Sequence, residues 1–338
     1  MWTYILKRLL LMIPTVIGAA FLIFFLLRAL PGDVCELKLG GEGAYYDEEQ
    51  IKICQAQLGI DQPLYVQLGL FLGDLVTLDL GRSFRTHEKI TTEILQRFPA
   101  TCELTFASML IAVLGGVSLG IVAALRRGRA ADYLGMILAT GGISMPIFWL
   151  GLMLILLLAV WLPVFPVSGR LASHIFLPPR THFYLLDAIL AGDGRALLDL
   201  LRHLALPALT LSTVPLAVIA RLTRASLLEV LGEDYIRTAW AKGLTGRLVV
   251  WRHAVRNAFI PTLTVIGMEF GYLLGGAVIT ETVFAWPGLG RWLFFAVQAR
   301  DLRAVQGGVL LLASLFILLN LLADLLYAWL DPRIRYDR

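Results

Sequence analysis

The sequence predicts an all-α integral membrane protein with six transmembrane helices, and three observations predict it. Of 338 residues, 58% are hydrophobic and only 16% charged, with a mean hydropathy of +0.76. A soluble domain carries about a quarter charged residues. Apolar runs near ~20 residues long, enough to cross ~30 Å of hydrocarbon, recur along the chain. Lys and Arg gather on alternate connecting loops, as they do on the cytoplasmic side of membrane proteins. The formal net charge of +4 speaks to topology and not to nucleic acid.

The first span is Leu9 to Leu27, behind Lys7 and Arg8, with its N-terminus inside. Its apolar run is too long for a cleaved leader, and no small-residue cleavage site follows. Pro14 lies in its first turns, where a missing N–H matters little. Pro31 to about Thr101 is polar with an excess of acids, which puts it outside. Within it, Asp47 to Leu58 predicts a helix with acids in its first turn. Cys35 and Cys54 lie in this compartment, where disulfides persist, and whether they pair is open. Cys102, at the membrane boundary, reads as a small buried apolar residue.

The second span is Leu104 to Leu125, where Gly116 and Gly120 form a small-xxx-small pair that permits close helix packing. Arg126, Arg127 and Arg129 follow at once and mark the inside. The third span, Leu134 to Trp161, is interrupted by Gly141, Gly142 and Pro146. Ser144 and Met145, before that proline, are therefore candidates for a pathway or hinge position, with a kinked packing helix as the alternative. Leu162 to Arg202 is outside, rich in Pro and Gly, with an amphipathic stretch near Tyr184 to Leu201. The fourth span, His203 to Leu222, carries Pro207 and Pro215.

The fifth span, Phe259 to Glu281, holds Glu269 near its middle. An ionised carboxylate there costs ~2.5–3.5 kcal/mol, so it is expected to face a cavity, a partner or a proton. Thr282 to Ala304 is a short outer segment whose Trp286 to Arg291 reads as a tight turn with an interfacial aromatic. The sixth span, Val305 to Leu330, places Asn320 and Asp324 at i and i+4 near its inner end. The tail Asp331 to Arg338 is basic and inside. The chain thus divides into residues 1–30, an outer segment 31–101, a membrane core 102–330 and a tail 331–338.

Between the fourth and fifth spans, and running into the fifth, lies the longest mixed charged and apolar stretch, Asp234 to Pro261, which overlaps a loop of residues 225–258. Asp234 sits at a helix N-terminus, where the macrodipole favours acids, and Lys242-Gly243 makes a C-terminal stop. On that short helix Tyr235, Ile236, Ala239 and Trp240 share a face. A second helix begins near Thr245, with Arg247, Trp251, Arg252 and Arg256 mostly on one side. The residues alone fit equally a knob for another protein's groove and an interfacial helix on lipid headgroups.

Several motifs carry a resemblance. They are Pro31-Gly32-Asp33, Ser144-Met145-Pro146 with Phe148-Trp149, and Pro166-Val167-Ser168-Gly169-Arg170. Leu231 to Ala239, His253-Ala254 with Arg256-Asn257-Ala258, Thr280-Glu281-Thr282 with Trp286 to Arg291, and Asp331 to Arg335 complete the set. In this order, over the whole length, they resemble the permeases of bacterial ABC importers, in the peptide/nickel branch and its dipeptide subgroup. The loop is similar to that family's "EAA" loop, with Ala239, Gly243 and Pro261 in its characteristic places. Val34, Trp240, Glu269 and the two outer cysteines depart from the pattern.

The resemblance implies the type I importer permease fold in a bacterial inner membrane, both termini cytoplasmic and the outer segments periplasmic. It implies a coupling helix that docks on a cytoplasmic ATPase through Asp234, Tyr235, Thr238, Ala239, Lys242, Gly243 and Leu244. The partners it implies are a homologous second permease, two ATPases and a periplasmic peptide-binding protein, within membrane lipid. ATP and Mg would belong to the ATPases. This chain has no Gly-Lys dipeptide, hence no phosphate-binding loop, and is expected to be non-catalytic with no bound cofactor. Dipeptides are the favoured cargo, with oligopeptides, haem, nickel complexes and glutathione as alternatives within the branch. A gradient-driven secondary transporter would instead use Glu269 and Asp324 as ion or proton sites. A metal site is not expected, because the five histidines are scattered.

Overall fold

The computed structural model describes residues 2–29, 35, 48–58, 61–77 and 79–330, with side chains described except at 2–9, 12, 48, 57, 58, 76, 276, 319, 320 and 322–330. The regular elements among the described residues are helices, and the one β contact among those residues is an isolated bridge between Arg82 and Lys89. Each of the six predicted spans falls on a helix: Trp2–Ala29, Ile90–Leu125, Ala130–Ser144 with Ile147–Trp161, Gly194–Leu231, Arg256–Gly276 and Leu302–Leu330. Among the described residues, three helices are long and apolar enough to cross a bilayer, Ile90–Leu125, Gly194–Leu231 and Gly246–Gly275, or four if the bent pair is one span. The chain forms two compact units, Met1–Pro99 with Gly288–Ile317, and Ala100–Pro287 with the remainder.

In the first unit the outer segment holds a helix that a polar reading of residues 31–101 misses, Leu64–Val76. It is apolar but, at 13 residues, only ~20 Å long, too short to span. It packs on the first helix by stacking Phe71 on Phe24, ring centroids 5.8 Å apart. Arg28 Nε donates to Gln67 Oε1 at 2.8 Å beside that stack. Cys35 and Cys54 are joined by a disulfide, with Cα atoms 5.8 Å apart. The core gathers Ile23, Leu27, Ile90, Ile94, Leu289, Trp292 and Val305. Buried acids are satisfied there: Glu93 accepts from Trp292 Nε1 at 3.2 Å, and Asp301 from Ser83 Oγ at 2.6 Å.

In the second unit the helix Ile90–Leu125 continues from Ala100 and lies against Gly194–Leu231. The contact depends on the predicted glycine pair. A Cβ at Gly116 would stand 2.7 Å from Leu216 O, and one at Gly120 2.6 Å from Ala220 O. Only hydrogen permits that approach. The fourth-span helix is 38 residues, ~57 Å, so it extends well beyond the hydrocarbon. The amphipathic stretch expected at Tyr184 to Leu201 is two pieces, because Gly192 turns the chain at φ +67 and Asp193 caps the long helix. The Asp193 carboxylate accepts from Arg195 N and Ala196 N, both at 3.0 Å.

The third span is broken. Ala130–Ser144 and Ile147–Trp161 meet at 104°. Met145, pushed out of the helical region by the following proline, is extended at φ −92, ψ 132. Trp286 also differs from its reading as an interfacial aromatic: it is 1% exposed. Its Nε1 donates to Ala100 O at 2.8 Å, which removes any need for interfacial water.

Near the start of the second unit Glu103 accepts Arg170 Nε at 3.1 Å and Leu185 N at 2.8 Å, while Arg170 also donates to His182 O and lies over the Tyr184 ring. Thr101 Oγ1 donates to Glu281 at 2.6 Å, and both are buried. Close by in sequence, Asp187 is also buried. Burial pushes its carboxyl up, but the hydroxyl and N–H of Thr181 and the N–H of Arg180 outweigh that and hold it below the usual range.

Two predictions follow from this packing. Gly120→Val places methyls against the Ala220 carbonyl, and overpacking of this kind costs about 1–3 kcal/mol or more; thermal aggregation in mild detergent is expected to shift down, more than for Gly141→Val, where space is open. Because Asp187 is held below its unfolded value, its contribution is complete above about pH 5 and is lost as the pH falls below ~4. Protease cleavage across residues 170–190 is expected to rise in that acid window, and Asp187→Asn is expected to raise it already at neutral pH.

Candidate coupling site

The loop helix spans Asp234–Ala241. Glu233 is extended before it, and Gly243 at φ +75 turns the chain after it, as the Lys242-Gly243 stop predicts. Its two inward residues are nearly sealed, Ile236 at 1% and Ala239 at 6% exposure. They sit in a cradle made by three helices: Ile121 and Ala124, Leu227, and Val249, Ala254 and Ala258. Full burial of an isoleucine contributes about 1.5–3 kcal/mol, so this short helix is held by packing rather than by its own propensity.

The remaining positions face outward. Asp234, Tyr235, Arg237, Thr238, Trp240, Lys242 and Gly243 are exposed, and Leu244 is half-buried. Thr238 Oγ1 donates back to Asp234 O at 2.9 Å, and Asn257 Nδ2 donates to the Tyr235 hydroxyl oxygen at 2.9 Å. These bonds fix the outward side chains without covering them. Trp240 lies over Gly246, where a Cβ would stand 3.0 Å from its ring. The face expected to hold Tyr235, Ile236, Ala239 and Trp240 together is thus divided. Ile236 and Ala239 point into the chain's own core, while Tyr235 and Trp240, 42% and 49% exposed, flank it.

The inner turn that precedes the third span is fixed to the same body. Arg224 grips Asp132 with two bonds, Nε to Oδ1 at 2.6 Å and Nη2 to Oδ2 at 2.8 Å, and Gly128 N donates to the same carboxylate. This pair was not legible, because Arg224 read only as one more cytoplasmic charge. Ser144 and Met145 lie at the 104° bend, both exposed, with Ser144 Oγ bonded to Thr140 O at 3.0 Å. Gly151, just beyond, lets Phe284 and Val283 approach to 3.1 and 3.3 Å of a would-be Cβ. Glu269 is half-buried on its helix, with no hydrogen bond or ion pair among the described residues. The side chains of Asn320 and Asp324 lie outside the described residues. No group of three or more His, Cys, Asp or Glu that could hold a metal occurs among the described residues.

The profile described as "Binding-protein-dependent transport system inner membrane component" matches residues 116–336, which include the loop helix and the bend. The chain belongs to that family. Its N-terminal companion, "Binding-prot-dependent transport system membrane comp, N-term", matches residues 1–105. The di/tripeptide transport system permease protein DppB of Pseudomonas aeruginosa is 48% identical over 338 residues, covering 100% of both chains. The dipeptide transport system permease protein DppB of Escherichia coli K12 is 47% identical over 341 residues, again covering 100% of both. The glutathione transport system permease protein GsiC of Escherichia coli is 42% identical over 336 residues, covering 99% of this chain and all of that one. A solved amino acid ABC transporter chain aligns at a TM-score of 0.47 with 15% identity, over 72% of this chain and 95% of that one. The family member described here is an integral inner-membrane permease component of an ABC importer, with the type I permease fold, and not its ATPase.

The cradle gives a direct test. Ile236→Ala removes a fully buried side chain, at a cost of about 2–5 kcal/mol. Hydrogen exchange over residues 232–245 is expected to rise sharply, while the amount of chain extracted from membranes stays unchanged.

Proposed function

We propose that this chain forms half of the translocation pathway of an ATP-driven importer of dipeptides, and that its loop helix is the mechanical link to a cytoplasmic ATPase. The observation that carries the reading is the division of the loop helix: one face is sunk into three spans and the other is left bare. A helix fixed by Ile236 and Ala239 and bare at Tyr235, Thr238, Lys242 and Gly243 is shaped to be pushed by a partner and to move its own spans. Leu244 and Asp234 border that surface. Ala239 is small for the sake of its own cradle, and Gly243 supplies the left-handed turn.

The bare side requires a docking partner of matching shape, and two ATPase subunits, one for each of two homologous permeases, complete the reading. ATP and Mg then reside on those partners, with no cofactor on this chain. Both termini and the loop are cytoplasmic, which agrees with the basic runs at Arg126 to Arg129 and Arg247 to Arg256. The segments between the first and second and between the third and fourth spans are periplasmic and receive cargo from a binding protein. Ser144 and Met145, at the bend, and Glu269 are the pathway positions that the geometry favours. Dipeptide cargo is supported by the two full-length relatives named for dipeptide or di/tripeptide transport, at 47–48% identity against 42% for the glutathione permease.

Gly243→Asp tests the link. It places a charge on the bare surface at a left-handed position that Asn and Asp tolerate. Dipeptide uptake is expected to be lost, and the ATPases to be missing from a mild-detergent pull-down, while Gly243→Asn retains both. Unchanged uptake in Gly243→Asp would remove the loop helix from the mechanism. Uptake in vesicles without ATP would instead favour a gradient-driven transporter.

A further inference from the structure

The helix that follows the loop carries a second surface, which docking does not use. Thr245, Arg247, Leu248, Trp251 and Arg252 line an open cavity of ≈ 440 Å³. Trp251 is 56% and Leu248 37% exposed, and both arginines are exposed. Among the described residues neither guanidinium is paired with a carboxylate. Its lining residues are distinct from Val249 and Ala254, the fully buried positions by which this helix meets the cradle.

Length fixes its depth. Gly246–Gly275 is 30 residues, ~45 Å, whereas the hydrocarbon is ~30 Å thick. About ten residues therefore stand outside it. The charges show which end: Arg247, Arg252 and Arg256 all lie in the first eleven residues, and after Arg256 the helix has no basic residue. With the hydrocarbon beginning near Arg256, Trp251 and Arg252 lie ~6–8 Å beyond it, at headgroup depth, and Arg247 one turn farther. Tryptophan prefers that layer, and guanidinium forms bidentate bonds to phosphate.

We propose that Arg247, Trp251 and Arg252 form a binding site for the phosphate of an anionic phospholipid in the inner leaflet, the indole and Leu248 covering the glycerol and upper acyl chain. The site rests on the cytoplasmic orientation of the loop stated above. A lipid is favoured over the ATPase because Trp251 and Arg252, set by the length of the helix, lie at headgroup depth. Two bases held at an anionic surface raise the local affinity by roughly thirtyfold.

The test is native mass spectrometry of the full-length chain in mild detergent with equal phosphatidylglycerol and phosphatidylcholine. Wild type is expected to retain phosphatidylglycerol preferentially, and R247Q/R252Q to lose that preference by at least tenfold. R247K/R252K is expected to keep most of it, and R126Q/R127Q all of it; elution as a single peak on size exclusion certifies folding of each. Equal retention by wild type and R247Q/R252Q overturns the site, as does displacement of the lipid by inorganic phosphate. Loss of ATPase from the intact complex in R247Q/R252Q with lipid retention unchanged assigns the surface to a protein and also overturns it. Lipid retention is read without transport, so its failure is separable from failure of the coupling reading.

Discussion

The second unit depends on how closely two helices approach. Hydrocarbon is as apolar as leucine, so no hydrophobic force drives helices together in a membrane, and dispersion and shape must do it. Gly116 and Gly120 let Ile90–Leu125 come near enough that a methyl group on either would meet a backbone carbonyl of the neighbour. From this seam both functional ends are built. Ile121 and Ala124 with Leu227 make the floor under the loop helix, and Glu103 at the other end of the same helix anchors Arg170.

Three buried carboxylates of the second unit are each paired with a group far away in the sequence. Glu103 with Arg170, Thr101 with Glu281, and Asp132 with Arg224 each bring a group from one helix to a distant segment of the chain. Breaking one member of such a pair leaves the other buried and unpaired, which is costly, whereas an intact pair adds little net stability. Their value is in specificity. Each accepts one register of loop against helix, and together they fix where the 166–185 segment and the Arg126–Arg129 turn rest.

Much of the fold was legible because membrane helices announce themselves by length and apolarity. The glycine pair, the break before Pro146 and the stop at Gly243 were legible as well, each from a residue whose backbone behaviour is unusual. The helix Leu64–Val76 was lost because the acids around it set the reading of the whole segment. Burial of Trp286 and the partition of the loop helix were not legible either: a helical wheel shows which residues share a side, but the neighbouring spans decide which of them are covered. Ion pairs such as Asp132 with Arg224, 92 residues apart, leave no local trace in a single sequence.

The cradle beneath Ile236 has a mechanical meaning. A loop tethered only by its two ends is a soft spring, and displacement applied to its middle is absorbed by bending. Here the middle is bolted, through Ile236 and Ala239, to residues of three separate spans. The compliance of the connection is then that of packed side chains, not of loop backbone. In the proposed coupling, a push at the exposed face would be carried by packed side chains and not absorbed by bending of the loop backbone.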